Sequence, residues 1–160
     1  MADAGLTRGG FYLHFRNKEE LFAEALGERR MAAMVEQFVA ANPQQDSYVA
    51  VQEILQGYLD PAHRDDRANG CPMASLGTDA SRAGETVRDT FAATLEDWRD
   101  EITRHMPADA PERHATALSM IAECVGSLML SRAVGEGPLS DDVLAAGRRA
   151  VARLAKSDED

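Results

Sequence analysis

The sequence predicts an all-α protein, and three observations predict it. Apolar residues recur at steps of three and four along most of the chain, most cleanly in Val87, Phe91, Leu95, Trp98, Ile102 and Met106. Helix punctuation (Asn, Asp or Ser before such runs, Pro or Gly after them) falls in the gaps. No stretch sustains the apolar–polar alternation of a strand, and neither an internal repeat nor a low-complexity segment occurs. At 160 residues the chain is one domain, or one domain with a small appended element.

The first element is short. Thr7 is placed to cap a helix from Arg8 to Phe15, with Phe11 and Phe15 on one stripe and Arg8 and Tyr12 on the next. Gly9 and Gly10 each cost roughly 1 kcal/mol in a helix interior relative to alanine, a cost that suits a backbone obliged to approach something closely. Asn17-Lys18-Glu19-Glu20 has the spacing of a capping box and opens a long helix to about Ala41, where Asn42-Pro43 ends it. Its free N–H groups beside Lys18 form a natural phosphate site.

Tyr48, Val51, Leu55, Tyr58 and Leu59 mark the next helix, stopped by Asp60-Pro61. An Asn69-Gly70 turn precedes a short apolar segment, Cys71 to Leu76. The clean amphipathic run from Val87 follows and ends at Pro107. Asp109 then reads as a cap, with Pro111 in the first turn and Glu112 at the third position, opening a helix to about Val134. Ala117, Leu118, Ile121, Ala122, Val125, Leu128 and Met129 cover more than one face of it, so a single neighbour cannot bury them all. After Gly135-Glu136-Gly137-Pro138, Ser140 reads as the cap of a last helix, with Asp141 and Asp142 at its start and Arg153 and Lys156 at its end, as the helix dipole favours. Its stripe of Val143, Gly147, Ala150, Val151 and Leu154 is rich in small residues. Ser157 to Asp160 is a polar tail.

Composition limits the function. The net charge of −10 argues against a general polyanion binder, yet residues 1–18 hold Arg8, Arg16 and Lys18 against Asp3 alone. Screening over roughly 8–10 Å lets such a patch meet phosphate locally on an acidic body. Cys71 and Cys124 form no CxxC pair, which leaves two reduced thiols. Cys71, near a helix start, is open to a sensor role as well as to plain packing. His14, His63, His105 and His114 lack metal-ligand spacing, and HExxH, GxSxG, GxGxxG and P-loop motifs do not occur, so neither an enzyme nor a metal or other cofactor is expected. The longest apolar run, Met120 to Leu130, is short for a membrane span and contains Glu123, and no signal peptide is visible; a cytoplasmic protein is expected.

The stretch Thr7-Arg8-Gly9-Gly10-Phe11-Tyr12-Leu13-His14-Phe15-Arg16-Asn17-Lys18-Glu19-Glu20-Leu21-Phe22 resembles the recognition helix and following helix start of TetR/AcrR-family transcriptional regulators. Asn69-Gly70-Cys71-Pro72-Met73-Ala74 is similar to a segment at the start of the sixth helix in one branch of that family. The resemblance implies a helix-turn-helix head followed by a helical body that binds a small molecule and dimerises through its last two long helices. It implies a partial head and connecting helix over 1–41 and a ligand-binding and dimerisation domain over 42–160.

Site residues follow from it. Thr7 and Arg8 would open the recognition helix, with Arg8 reaching a base edge; Gly9 and Gly10 would admit the backbone to the groove; Tyr12, His14 and Lys18 would hold phosphates. Tyr58, Met73, Phe91, Trp98, Met120 and Cys124 are the candidates for a pocket for a small hydrophobic or aromatic effector, against the plain alternative that they are core. Leu118, Ile121, Val125, Leu128, Gly147, Val151 and Leu154 are the candidates for a homodimer interface.

A head of this kind has two helices before the recognition helix, and the chain holds only the last residues of the second, Met1 to Ala4. Met1 therefore reads as an internal start or a clipped end, and the chain as it stands is expected to bind a double-stranded DNA operator weakly or not at all. The implied function is a ligand-responsive DNA-binding repressor. The alternative is a helical dimeric ligand-binding or heterodimerising module without DNA binding of its own.

Overall fold

The computed structural model describes residues 13–27 and 30–156. Among the described residues the elements are all helices: α1 (Lys18–Gly27), α2 (Arg30–Ala41), α3 (Ser47–Tyr58), α4 (Pro61–Asp65), α5 (Pro72–Arg82), α6 (Glu85–His105), α7 (Arg113–Ala133) and α8 (Pro138–Lys156). The region expected as one long helix to Ala41 is helical over Lys18–Gly27 and Arg30–Ala41, and the junction at residues 28 and 29 lies outside the described residues.

Several starts follow from capping chemistry. Asn17 Oδ1 accepts the Glu20 N–H at 2.9 Å, and the Glu20 carboxylate reaches back to the Arg16 N–H. That is the predicted capping box with its return bond displaced by one residue. Asp46 accepts from the Tyr48 and Val49 N–H groups and starts α3, a cap worth about 1 kcal/mol. Asp60, expected only to stop the preceding helix, accepts from Ala62 N–H at 2.8 Å and starts α4, with Pro61 in its first turn.

Three expectations are corrected. The segment from Cys71 is a helix that runs past Leu76 to Arg82, because Ala80 buries against the neighbouring Leu26 and Val87. Asp109 does not cap α7: the helix begins at Arg113, preceded by Glu112 in the left-handed region at φ 49°. Ser140 is not the cap of α8, which begins at Pro138; Ser140 is buried, its hydroxyl donating to the Ser131 carbonyl at 2.9 Å and accepting from Arg64.

The main core lies between α3, α6, α7 and α8, built on Leu55, Leu59, Trp98, Ile102, Met120, Leu128, Leu144 and Val151. The helix α7 is long and apolar enough to cross a membrane by length and composition, but its buried face is this core. α7 and α8 approach closely because Gly147 faces Ser127: a Cβ there would lie 2.8 Å from Ser127 Cβ. The Arg148 guanidinium donates to the Leu59 carbonyl and Gln56 donates to the Arg148 carbonyl, fixing α8 to α3.

A second, smaller core carries α1. Leu26 packs with Ala80 of α5 and Val87 of α6, with Phe22 and Ala23 beside it. Two polar contacts lock the same junction. Gly84 N–H, at the start of α6, donates to Glu19 at 3.2 Å, and Thr94 Oγ1 donates to the Leu26 carbonyl at 3.1 Å. Phe91 packs against both cores, so the platform of α1 is continuous with the main core through one ring.

Candidate functional site

A mainly apolar concavity of the body lies between α2, α3 and the segment from α4 to the start of α5. It is a cavity of about 430 Å³ lined by Met31, Met34 and Phe38 of α2, Glu53, Ile54, Gly57 and Tyr58 of α3, and His63, Asn69, Gly70 and Cys71 of the loop region. That size falls in the usual range for small-molecule sites. The loop that forms its lip is held from below. Arg132 of α7 donates to the carbonyls of His63 at 2.8 Å and Arg64 at 3.0 Å, and its guanidinium lies where a side chain at Gly70 would stand. Asp66 accepts from the Asn69 backbone and side chain, tightening the turn that the Asn-Gly pair predicts.

His63 has a defined role in the lip. Its Nδ1 lies 2.7 Å from the Tyr58 carbonyl, which can only accept, so Nδ1 carries the proton. Nε2 is then free to accept the Cys71 N–H at 3.4 Å. The ring thus ties the end of α3 to the start of α5, and it stacks edge-on to Tyr58 at 4.6 Å.

Tyr58 closes the inner wall. It is 3% exposed, its ring lies 5.7 Å from that of Trp98, which is 1% exposed, and neither Tyr58 Oη nor Trp98 Nε1 has a hydrogen-bond partner of ordinary geometry among the described residues. The Cys71 thiol is the polar neighbour of the phenol, and a thiol is a weak partner. Burial, followed by the nearby Cys71, pushes the Tyr58 phenol far above its ordinary range. Burial likewise pushes the Cys124 thiol up. Two unsatisfied polar groups in adjoining rings cost about 1–3 kcal/mol each, and such groups in a native core call for a reason.

Of the six pocket candidates, Tyr58 lines the cavity. Trp98 lies behind it, Met73, Met120 and Cys124 pack in the main core, and Phe91 bridges the two cores. Cys71, read as open to a sensor role, is buried on the cavity lip. The residues that sequence reasoning missed, Met31, Met34, Phe38 and Ile54, sit on an ordinary amphipathic pattern, and only the arrival of the α4–α5 loop over them makes a pocket.

Of the DNA-contact candidates, Thr7, Arg8, Gly9, Gly10 and Tyr12 lie outside the described residues. His14 and Lys18 are exposed, with Leu13 beside them 84% exposed. Lys18 opens α1 and borders a groove of about 640 Å³ between α1 and α5, floored by Leu21, Phe22 and Leu76.

Of the interface candidates, Ile121, Leu128, Gly147 and Val151 are buried within the protomer, while Leu118 is exposed and Val125 and Leu154 half-buried. The apolar residues that α7 and the turn after it show to solvent form one continuous stripe, Leu118, Ala122, Val125, Met129, Ala133. Leu130 at 52% and Leu139 at 62% exposure extend it toward α8. Among the described residues no group of histidine, cysteine, aspartate and glutamate side chains is arranged to hold a metal ion.

The molecule is a helical body with an apolar cavity, carrying at one end a short helix presented on its own small core. The comparisons identify it more closely. The family profile described as "Transcriptional regulator LmrA/YxaF-like, C-terminal domain" matches residues 48–139, more than half of the chain, and that of "Bacterial regulatory proteins, tetR family" matches residues 1–25. The chain belongs to the TetR family of transcriptional regulators. No curated protein matches it as a relative. Regulators of this family are generally soluble, cytoplasmic and non-enzymatic.

Proposed function

We propose that this protein is a ligand-responsive, DNA-binding repressor that acts in the cytoplasm as a homodimer, with a head and connecting helix over 1–41 and a ligand-binding and dimerisation domain over 42–160. One observation carries the reading. α5 begins at Cys71 on the cavity lip and ends at Ala80 to Arg82, where it packs on the platform of α1. An occupant that displaces the lip moves one end of a helix of eleven residues, roughly 16 Å long, whose other end holds the head.

The mechanism is a population shift. Two heads in a symmetric dimer must match half-sites spaced by turns of the duplex, so a few ångströms of displacement at α1 breaks the register of one head against the other. An effector lowers operator affinity by its differential binding to the splayed arrangement and by nothing else. His14 and Lys18 hold phosphates, as do Tyr12 and the start of α1, while Thr7 and Arg8 read bases with Gly9 and Gly10 against the groove.

The dimer face is the exposed stripe of α7 together with the outer face of α8, where Val143, Ala146, Ala150 and Leu154 are half-buried or exposed. Contiguous apolar surface of this kind on a monomer marks an interaction site. Of the interface candidates, Leu118, Val125 and Leu154 contribute directly, and Ile121, Leu128, Gly147 and Val151 act from beneath by fixing the α7–α8 seam.

The experiment is a titration of the promoter DNA next to the gene with the protein expressed from the complete gene. It should bind a palindromic site as a dimer and discriminate against random duplex. Absence of specific binding would favour the ligand-binding module that has no DNA grip of its own.

A further inference from the structure

We propose that the cavity takes a neutral aromatic effector bearing one hydrogen-bond acceptor, which seats against the Tyr58 hydroxyl and the Trp98 indole N–H. The inference rests on the cavity's being the effector site and adds the chemistry of the ligand. Two facts set the polar requirement. Tyr58 is the inner wall of the cavity and Trp98 is the ring behind it, and among the described residues neither polar atom has a hydrogen-bond partner of ordinary geometry, the weak Cys71 thiol being the neighbour of the phenol. An indole N–H can only donate, so the group that completes the pair must accept. A carbonyl or ether oxygen does so; a hydrocarbon leaves both donors as they are.

The body of the ligand follows from the rest of the lining. Phe38, Tyr58 and His63 offer ring surfaces, and Met31 and Met34 offer adaptable thioether side chains, so flat apolar area is what the walls can cover. The charge follows from what is missing and what is occupied. Among the described lining residues Glu53 carries the acidic side chain, and the nearby Arg132 guanidinium turns donors to the carbonyls of residues 63 and 64. A carboxylate ligand would therefore meet an acidic side chain at the rim and no Lys or Arg among the described lining residues. Entry to the two donors requires a shift of the Tyr58 ring, which is also the ring that His63 and the α5 start lean on. Ligand capture and movement of the lip are in this way the same event.

The test uses three probes of matched size in equilibrium dialysis with the full chain: 2-acetylnaphthalene, 2-ethylnaphthalene and 2-naphthoate. The acetyl compound should bind about fivefold or more tighter than either of the others, the margin of one ordinary hydrogen bond. In Tyr58→Phe and, separately, Trp98→Phe, the gap between the acetyl and ethyl compounds should narrow by about the factor of one hydrogen bond, and in the double variant it should vanish. Circular dichroism establishes that each variant is folded. Tyr58→Phe should also keep or raise the melting temperature, since it deletes an unpaired hydroxyl; should it fail to fold, Trp98→Phe decides. Equal binding of all three probes, tightest binding of the naphthoate, or a gap undiminished in both variants overturns the ligand class while leaving the pocket standing. Failure of every probe to bind overturns the pocket itself, and the proposal with it.

Discussion

Gly147→Ala is the sharpest probe of the packing, because its magnitude has two opposed parts. Alanine gains about 1 kcal/mol over glycine in a helix interior. Against that, the new Cβ would lie 2.8 Å from Ser127 Cβ, closer still to the Ser127 hydroxyl, and 3.1 Å from Leu59 Cδ1. Ser127 sits on the backbone of α7 and cannot swing away, so the helices must separate. Overpacking of this kind costs about 1–3 kcal/mol and reaches its upper half when backbone must move. The net effect is a destabilisation of about 1–2 kcal/mol, or roughly 2–8 °C in melting temperature for a chain of this length. The assay is thermal unfolding by circular dichroism at fixed protein concentration, which dimerisation would otherwise confound. Adding Ser127→Gly to the variant should recover most of the loss, as a pairwise contact requires. Gly126→Ala, one residue away with open space around its Cβ, should instead be neutral or stabilising in the monomer. A Gly147→Ala protein as stable as the parent would refute the close α7–α8 approach.

Three further outcomes follow from the same structure. Val125→Asp, on the exposed stripe of α7, should sediment as a folded monomer, whereas Leu128→Asp, fully buried, should lose its helical signal, at a cost above about 4 kcal/mol. A folded Leu128→Asp monomer would exchange the two faces. Alkaline pH should weaken the fold, since the Cys124 thiol and Tyr58 phenol are both held protonated by burial. Their contribution is complete below the ordinary values of 9.0 and 10.0 and is lost as pH rises past them, so a melting curve that falls above pH 9.0 should flatten in the Cys124→Ala, Tyr58→Phe double variant. Removing the lip clamp with Arg132→Gln should raise hydrogen exchange at residues 63–71 while leaving α8 protected; unchanged exchange there would show that the clamp is redundant.

Helix positions were legible in the sequence wherever an apolar period and a stop coincided. Val87 to Met106 with Pro107 gives α6 as found, and Asp60-Pro61 marks the end of α3. Starts were less legible, because Asp109 and Ser140 have capping side chains but their backbones do not enter the helix there. Neighbours decide it: Ser140 spends its hydroxyl on the Ser131 carbonyl. The short helix α4 depends on a cap and a proline with no apolar stripe, so periodicity could not announce it. The site was legible in kind rather than in place. Tyr58 and Trp98 were among the pocket candidates, and their polar atoms, with Arg113 Nε, are buried without a hydrogen-bond partner of ordinary geometry among the described residues. The cavity wall from Met31, Met34 and Phe38 was not legible, since a half-exposed methionine on a helix reads the same whether it faces solvent or a loop 35 residues away. On α7 the period alone could not separate Leu128, which points inward, from Leu130, which points out.

A grip on DNA by the segment around α1, under the control of the body, shows itself in the salt dependence of operator binding. For the protein expressed from the complete gene, fluorescence anisotropy at several salt concentrations should give an affinity that falls steeply as salt rises, with Lys18→Ala weakening all sequences alike. One lost phosphate contact in each protomer of a dimer should reduce the logarithmic salt slope by about two. Salt-independent binding, or an unchanged slope in Lys18→Ala, would contradict the assignment of this end of the molecule to DNA.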